Sequence, residues 1–195
     1  ASVLNAAFGI RVSTLLDVVL ADFNQFEAGA FASTPIPAAG ARNADVLTYP
    51  TAGWLNASGG TLFAQYQIFS VTAIERAVFS LDDATANEVI ALSNTTATPY
   101  LNVVDGGVSQ VGASSGSASA NTTIKTVAAY ATNDFAFAKD GGTPDTDASG
   151  TLPTVTRAAV GISSYSGAEQ TYGPIRRVAY YTVRLPNAEL QALTT

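Results

Sequence analysis

The sequence contains no cysteine, no histidine and no methionine. Without cysteine there is no disulfide framework, no thiolate nucleophile and no zinc–thiolate site, so the fold must hold by packing alone. Without histidine the commonest general base and the commonest transition-metal ligand are both missing. Without methionine residue 1 is not a translation start, and the chain is read as processed or as part of something longer. Basic residues number nine against 15 acidic ones, a net charge of −6, and Arg176-Arg177 is the one close basic pair. A phosphate backbone requires clustered Lys and Arg, so nucleic acid is excluded as a partner. No run reaches the ~18 apolar residues of a membrane span, and no membrane partner is expected. The apolar stretch 12–20 carries Asp17 and lacks the basic leader of a secretory signal. The chain is read as soluble.

What remains is apolar and uncharged. Hydrophobic residues make up 47% of the chain and charged residues only 12%. Soluble domains usually carry about twice that share of charge, roughly 25%. The surface must therefore be built largely from Ser, Thr, Asn, Gln and Gly. Two regions are expected, an arm and linker over 1–43 and a β-sandwich over 44–195. In the arm, Val12, Leu15, Leu16, Val19, Leu20, Phe23 and Phe26 follow helical spacing between Ser13 and Gly29. A strand through Leu16, Val18 and Leu20 is the alternative. Either element leaves Leu16, Val19, Leu20 and Phe23 as an apolar stripe that suits docking or oligomerisation.

From residue 61 the hydrophobic period changes to two. Strands are expected at 61–69, 76–81, 88–92, 100–104, 108–111, 123–132, 135–139, 158–162 and 175–183. Turn signals separate them, among them Asp82-Asp83, Asp105-Gly106-Gly107, Asn133-Asp134 and Asp140-Gly141-Gly142. Many short strands at this spacing predict an all-β sandwich or jelly roll. In the last strand, Ile175, Arg177, Ala179 and Tyr181 should share one face, and Arg176, Val178, Tyr180 and Thr182 the other. The two arginines then point apart, one pairing with a carboxylate and one solvated, which excludes a basic patch. A short helix closes the chain, with Pro186 at its first position, Glu189 in its first turn, and Leu190 and Leu193 turned inward.

Three ordered blocks resemble the C-terminal region of tailed-phage fibre and head-spike proteins. The first runs Phe26-Glu27-Ala28-Gly29-Ala30-Phe31 and on to Arg42-Asn43-Ala44-Asp45-Val46. The second is Trp54-Leu55-Asn56-Ala57-Ser58-Gly59-Gly60-Thr61-Leu62-Phe63, and the third runs from Gly173-Pro174-Ile175-Arg176-Arg177 to Asn187-Ala188-Glu189-Leu190. Pro186 stands where a Ser is common in that family. The turn after the third strand reads Asp82-Asp83-Ala84-Thr85 in place of an Asp-Gly type turn. The resemblance implies a concanavalin A-like (laminin-G-like) jelly roll on a virion surface, on capsid or tail. Other virion proteins, and the chain itself as a homo-oligomer, are then the expected partners.

Candidate binding residues each have a plainer reading. Trp54 offers a face for a sugar ring, but a single Trp is usually mostly buried, so a lid over one end of the core is preferred. Tyr165 and Tyr172 flank the loop 163–173 and are further ligand candidates, with edge packing as the alternative. Asp82, Asp83 and Asn87 present hard oxygen ligands of the kind Ca²⁺ takes. A turn in which the Asp side chains accept from local N–H groups is preferred, and no cofactor is assigned. A glycosidase would need two acids ~5–9 Å apart across a cleft. Glu75, Glu88, Glu169 and Glu189 are scattered, and the chain is read as non-enzymatic. The expected function is a virion structural or decoration role, with recognition of host-surface polysaccharide as the alternative.

Overall fold

Alternation in the sequence becomes two faces in the structure. The computed structural model describes residues 47–69, 75–163, 169–171 and 173–195. The arm residues Leu16, Val19, Leu20 and Phe23 and the loop residues Tyr165 and Tyr172 lie outside these. The strands are β1 (Leu47–Pro50), β2 (Gly59–Gln67), β3 (Arg76–Asp82), β4 (Val89–Thr95), β5 (Thr98–Asp105), β6 (Val108–Ser109) and β7 (Thr123–Ala131). They continue as β8 (Asp134–Lys139), β9 (Asp145–Asp147), β10 (Arg157–Val160), β11 (Ile162–Ser163), β12 (Glu169–Gln170) and β13 (Ile175–Tyr181), before helix α1 (Asn187–Thr194).

The strands form two main antiparallel sheets, in the orders β1-β10-β3-β4-β5-β6 and β13-β2-β7-β8-β9, with a small β11-β12 pair. This is the jelly-roll sandwich expected from the sequence. Between the sheets lie Leu62, Ala64 and Tyr66 of β2, Ile90 and Leu92 of β4, Leu101 and Val103 of β5, and Phe135 and Phe137 of β8. The Tyr66 hydroxyl donates to Asn94 Oδ1 at 2.9 Å and so joins the two sheets through a buried bond. Burial also raises the pKa of Tyr66, so that it remains a donor.

The opposite face of the β2-containing sheet is covered by α1. Phe63, Val127, Ala129, Ala136 and Ala138 form a floor on which Leu190 packs. Leu190 is fully buried and Leu193 partly so, as expected. The far end of the helix is tied down by Gly141 N donating to Thr194 Oγ1 at 3.0 Å and Gln191 Nε2 donating to Gly141 O at 2.8 Å.

Several details differ from expectation, for local reasons. Pro186 is the N-cap rather than the first helical residue, with φ −60° and ψ 151° and no side-chain cap. It has no N–H or side-chain oxygen, so its carbonyl opens the helix by accepting from Glu189 N and Leu190 N. In β13 a bulge falls between Ile175 and Arg177. The extra residue reverses the alternation, so Ile175 joins Val178 and Tyr180 on the inner face. Arg177 lies outside, 5.4 Å from the Phe63 ring centroid, and among the described residues neither Arg176 nor Arg177 shows an ion pair with a carboxylate. The strand expected at 108–111 shrinks to Val108–Ser109, and that at 158–162 is split between β10 and β11. The edge strand Leu47–Pro50, with Leu47 and Tyr49 exposed, carried too short a pattern to be read from sequence.

Candidate functional site

Strand directions sort the connections to the two ends of the sandwich. One end gathers the loops 51–58, 83–88, 106–107, 132–133, 148–156 and 182–186. A cleft of about 170 Å³ opens there between the sheets. It is lined by Leu55, Asn56 and Ala57 of the first loop, Ile90, Tyr130, and Leu152, Pro153, Thr154 and Val155 of the 148–156 loop. None of these side chains carries a charge.

Both loops are held by hydrogen bonds rather than left to drape. Gly150 N donates to Asn133 Oδ1 at 3.0 Å and Thr151 N to Gln110 Oε1 at 3.2 Å. Thr154 N donates to Glu88 Oε2 at 2.9 Å, while Glu88 Oε1 accepts from Gly106 N at 2.9 Å. Thr156 N donates to Asp82 O at 2.8 Å. On the other wall, Asn56 N donates to the Tyr180 hydroxyl at 2.9 Å and Asn56 Nδ2 to Thr182 O at 2.8 Å. A cleft built this way spends little ordering entropy on binding.

A missing side chain lets two tyrosines meet beside the cleft. Gly60 sits on β2 between β7 and β13, and Tyr130 and Tyr180 from those strands lean over it. A methyl group at residue 60 would lie 2.8 Å from the Tyr130 hydroxyl oxygen and 2.9 Å from that of Tyr180. Tyr130 is only 2% exposed, and its hydroxyl makes no well-aligned hydrogen bond but stands beside the Tyr180 hydroxyl. Burial, reinforced by the neighbouring Tyr180, raises its pKa well above the ordinary tyrosine range. It is therefore a neutral O–H, able both to donate and to accept.

Sequence-derived candidates are dispersed. Trp54 packs on the main core, donates from Nε1 to Pro50 O at 2.7 Å, and meets Tyr180 edge-on at 5.0 Å between centroids. It holds the wall behind the cleft and does not line it. Asp82 is fully buried at the end of β3, where Oδ1 accepts from Arg157 Nε at 2.6 Å and from Ala84 N at 2.9 Å. Asp83 folds onto its own turn, accepting from Thr85 N at 2.8 Å and Thr85 Oγ1 at 2.6 Å, and the Thr85 hydroxyl lowers its pKa. Asn87 N donates to Thr85 Oγ1 at 3.1 Å. The three therefore serve one turn, in which Ala84 adopts a left-handed φ of 81°. A glycine would take that conformation more readily. Among the described residues no group of three or more Asp or Glu side chains is placed to hold a metal ion.

Sequence reasoning missed Tyr130, Asn56, Thr154 and Gly60. One signal was present, the Gly59-Gly60 pair at a strand start, since glycine inside a strand often marks a close approach. Asn56 and Thr154 carried none, because their meeting depends on the fold.

No protein-family model matches the sequence, and no curated protein matches it. Solved structures share the fold. The carbohydrate-binding module CBM40 of the Ruminococcus gnavus IT-sialidase, solved with α2,3- and α2,6-sialyllactose, is 17% identical with TM-scores of 0.60 and 0.61. The match covers 71% of this chain and 84% of that one. A native heptameric SAP-like pentraxin from Limulus polyphemus is 13% identical over 71% of this chain and 70% of its own, with a TM-score of 0.54. Trypanosoma rangeli sialidase is 17% identical over 71% of this chain but only 22% of its own, with a TM-score of 0.51. At these identities the likeness is one of fold, a two-sheet jelly roll.

Proposed function

We propose that this chain is a non-enzymatic glycan-binding module whose combining site is the cleft between the 51–58 and 148–156 loops, and that it works at the surface of a phage virion. The observation that carries the glycan reading is a preformed, uncharged cleft at the loop end of the sandwich, with the neutral polar groups of Asn56, Tyr130 and Thr154 on its lining. A sugar hydroxyl satisfies such a group, and the apolar wall of Leu55, Ile90, Leu152 and Val155 suits the C–H face of the ring. The R. gnavus CBM40 module, which shares the fold, is seen with a bound sialylated sugar. The absence of acids from the cleft lining supports binding over hydrolysis. The cleft moves glycan recognition ahead of the purely structural role that the sequence favoured. The virion setting rests on the three ordered blocks of resemblance, with other virion proteins and further copies of the chain as partners.

The test is Tyr130→Phe. Removing a buried hydroxyl that makes no well-aligned hydrogen bond leaves stability unchanged or raises it, while a ligand bond worth about 0.5–1.5 kcal/mol is lost. We expect an unchanged or higher thermal midpoint together with a roughly 3–10-fold weaker affinity for the glycan bound by the parent chain, measured by glycan array and titration calorimetry. A lower midpoint with unaltered affinity would make the hydroxyl structural and the cleft irrelevant.

Docking through the arm is proposed separately. A chain beginning at Ala44 retains every described strand. It should show β-type circular dichroism with an unchanged midpoint, yet fail to enter its assembly once Leu16, Val19, Leu20 and Phe23 are gone. Incorporation of the shortened chain at the parental level would remove the docking role.

A further inference from the structure

We infer that the cleft takes one neutral sugar ring, presented at the end of a glycan, and discriminates against a ring bearing a carboxylate. This rests on the glycan-binding reading above and adds the class of ligand.

Size limits the ligand first. A cavity of roughly 150 Å³ accommodates one benzene molecule. The cleft, at about 170 Å³, is therefore room for a single six-membered ring and its substituents. A second sugar has no place within it and must lie outside, toward solvent.

Charge limits it next. Recognition of a carboxylate uses Arg or Lys, because an unpaired charge taken out of water is costly. The lining holds no cation. The arginines of this end are committed elsewhere, Arg157 to Asp82 at 2.6 Å and Arg184 to Asp134 at 2.7 Å. A negative charge stands behind the wall, the Glu88 carboxylate 2.9 Å from Thr154 N, its two oxygens held by Thr154 N and Gly106 N. An incoming carboxylate meets repulsion with no counter-charge. A ring hydroxyl meets the neutral Tyr130 O–H, which serves it as donor or acceptor. CBM40 shares the fold and is seen with sialyllactose, whereas the cleft lining here offers no cation to receive a carboxylate.

The experiment titrates the full chain, and the Tyr130→Phe variant, with methyl glycosides of glucose, galactose, mannose and N-acetylglucosamine, with a neutral trisaccharide of whichever sugar binds, and with lactose and α2,3-sialyllactose. The expected result is binding of at least one neutral glycoside, weakened roughly 3–10-fold in the variant. The trisaccharide should gain less than about tenfold over the single ring, and sialyllactose should bind no tighter than lactose. Sialyllactose binding tenfold tighter than lactose and weakened by Tyr130→Phe would overturn the neutral-ring inference and leave glycan binding standing. A trisaccharide gain well above tenfold would overturn the single-ring part. Failure of every sugar to bind the parent chain would remove the inference together with the glycan reading.

Discussion

Replacing Leu190 by alanine should lower the thermal midpoint by roughly 5–20 °C, whereas replacing its neighbour Gln191 should change it by no more than a few degrees. Leu190 has no exposed surface and packs on Phe63, Val127, Ala129, Ala136 and Ala138. Truncating a buried leucine costs about 2–5 kcal/mol, from lost transfer energy and the cavity left behind. In domains of this size each kcal/mol moves the midpoint by roughly 2–4 °C. The alanine-rich floor favours a large cost over a small one, because small rigid strand residues cannot move in to fill the space. Gln191 is exposed and donates one hydrogen bond to Gly141 O. Such a bond is worth about 1 kcal/mol. The two variants differ by one position on one helix, so propensity effects nearly cancel. Matching midpoints would mean that α1 is not part of the folded unit.

The second large effect is expected at Asp82. Its carboxylate is fully buried, pairs with Arg157 directly across the β3–β10 ladder, and accepts from Ala84 N. Removing one partner of a buried pair costs about 3–5 kcal/mol, because the remaining charge has lost its compensation. Arg157 keeps 27% of its side-chain surface in contact with water. That access to solvent places Asp82→Ala at the lower end, about 3 kcal/mol. Asp83→Ala, one residue on, removes only the exposed turn bonds to Thr85. It should cost less than about 1 kcal/mol. Urea unfolding of the two variants measures the contrast. Equal unfolding midpoints would show that the Asp82–Arg157 pair contributes no more than a surface turn. Any Ca²⁺ site at Asp82 would have to displace Arg157 first, so added calcium should not raise the midpoint of the parent chain.

Much of the architecture was legible because burial in a two-sheet sandwich writes itself along the chain as alternation. Leu62, Ala64 and Tyr66 against Phe63 is such a record, and the two clusters keep them on opposite faces. Alternation fails where one residue is inserted. Nothing in Ile175-Arg176-Arg177 marks a bulge, yet it moved Ile175 to the inner face. The helix start was misplaced by one position for a similar reason. Pro at a first helical position is a statistical preference, and here the carbonyl of Pro186 does the capping instead.

The sequence by itself determined the chemistry that is absent and the class of fold. It holds no His, no Cys and no cluster of cations, and its period of two required stacked sheets. Only the tertiary structure decided which residues line the cleft at the loop end. Tyr130 and Tyr180 are distant along the chain and become neighbours because β7 and β13 both pair with β2. Periodicity tells which face a side chain takes but not which strand lies beside it. The close approach of the two tyrosines over Gly60 therefore exists only once long-range pairing has chosen the neighbours.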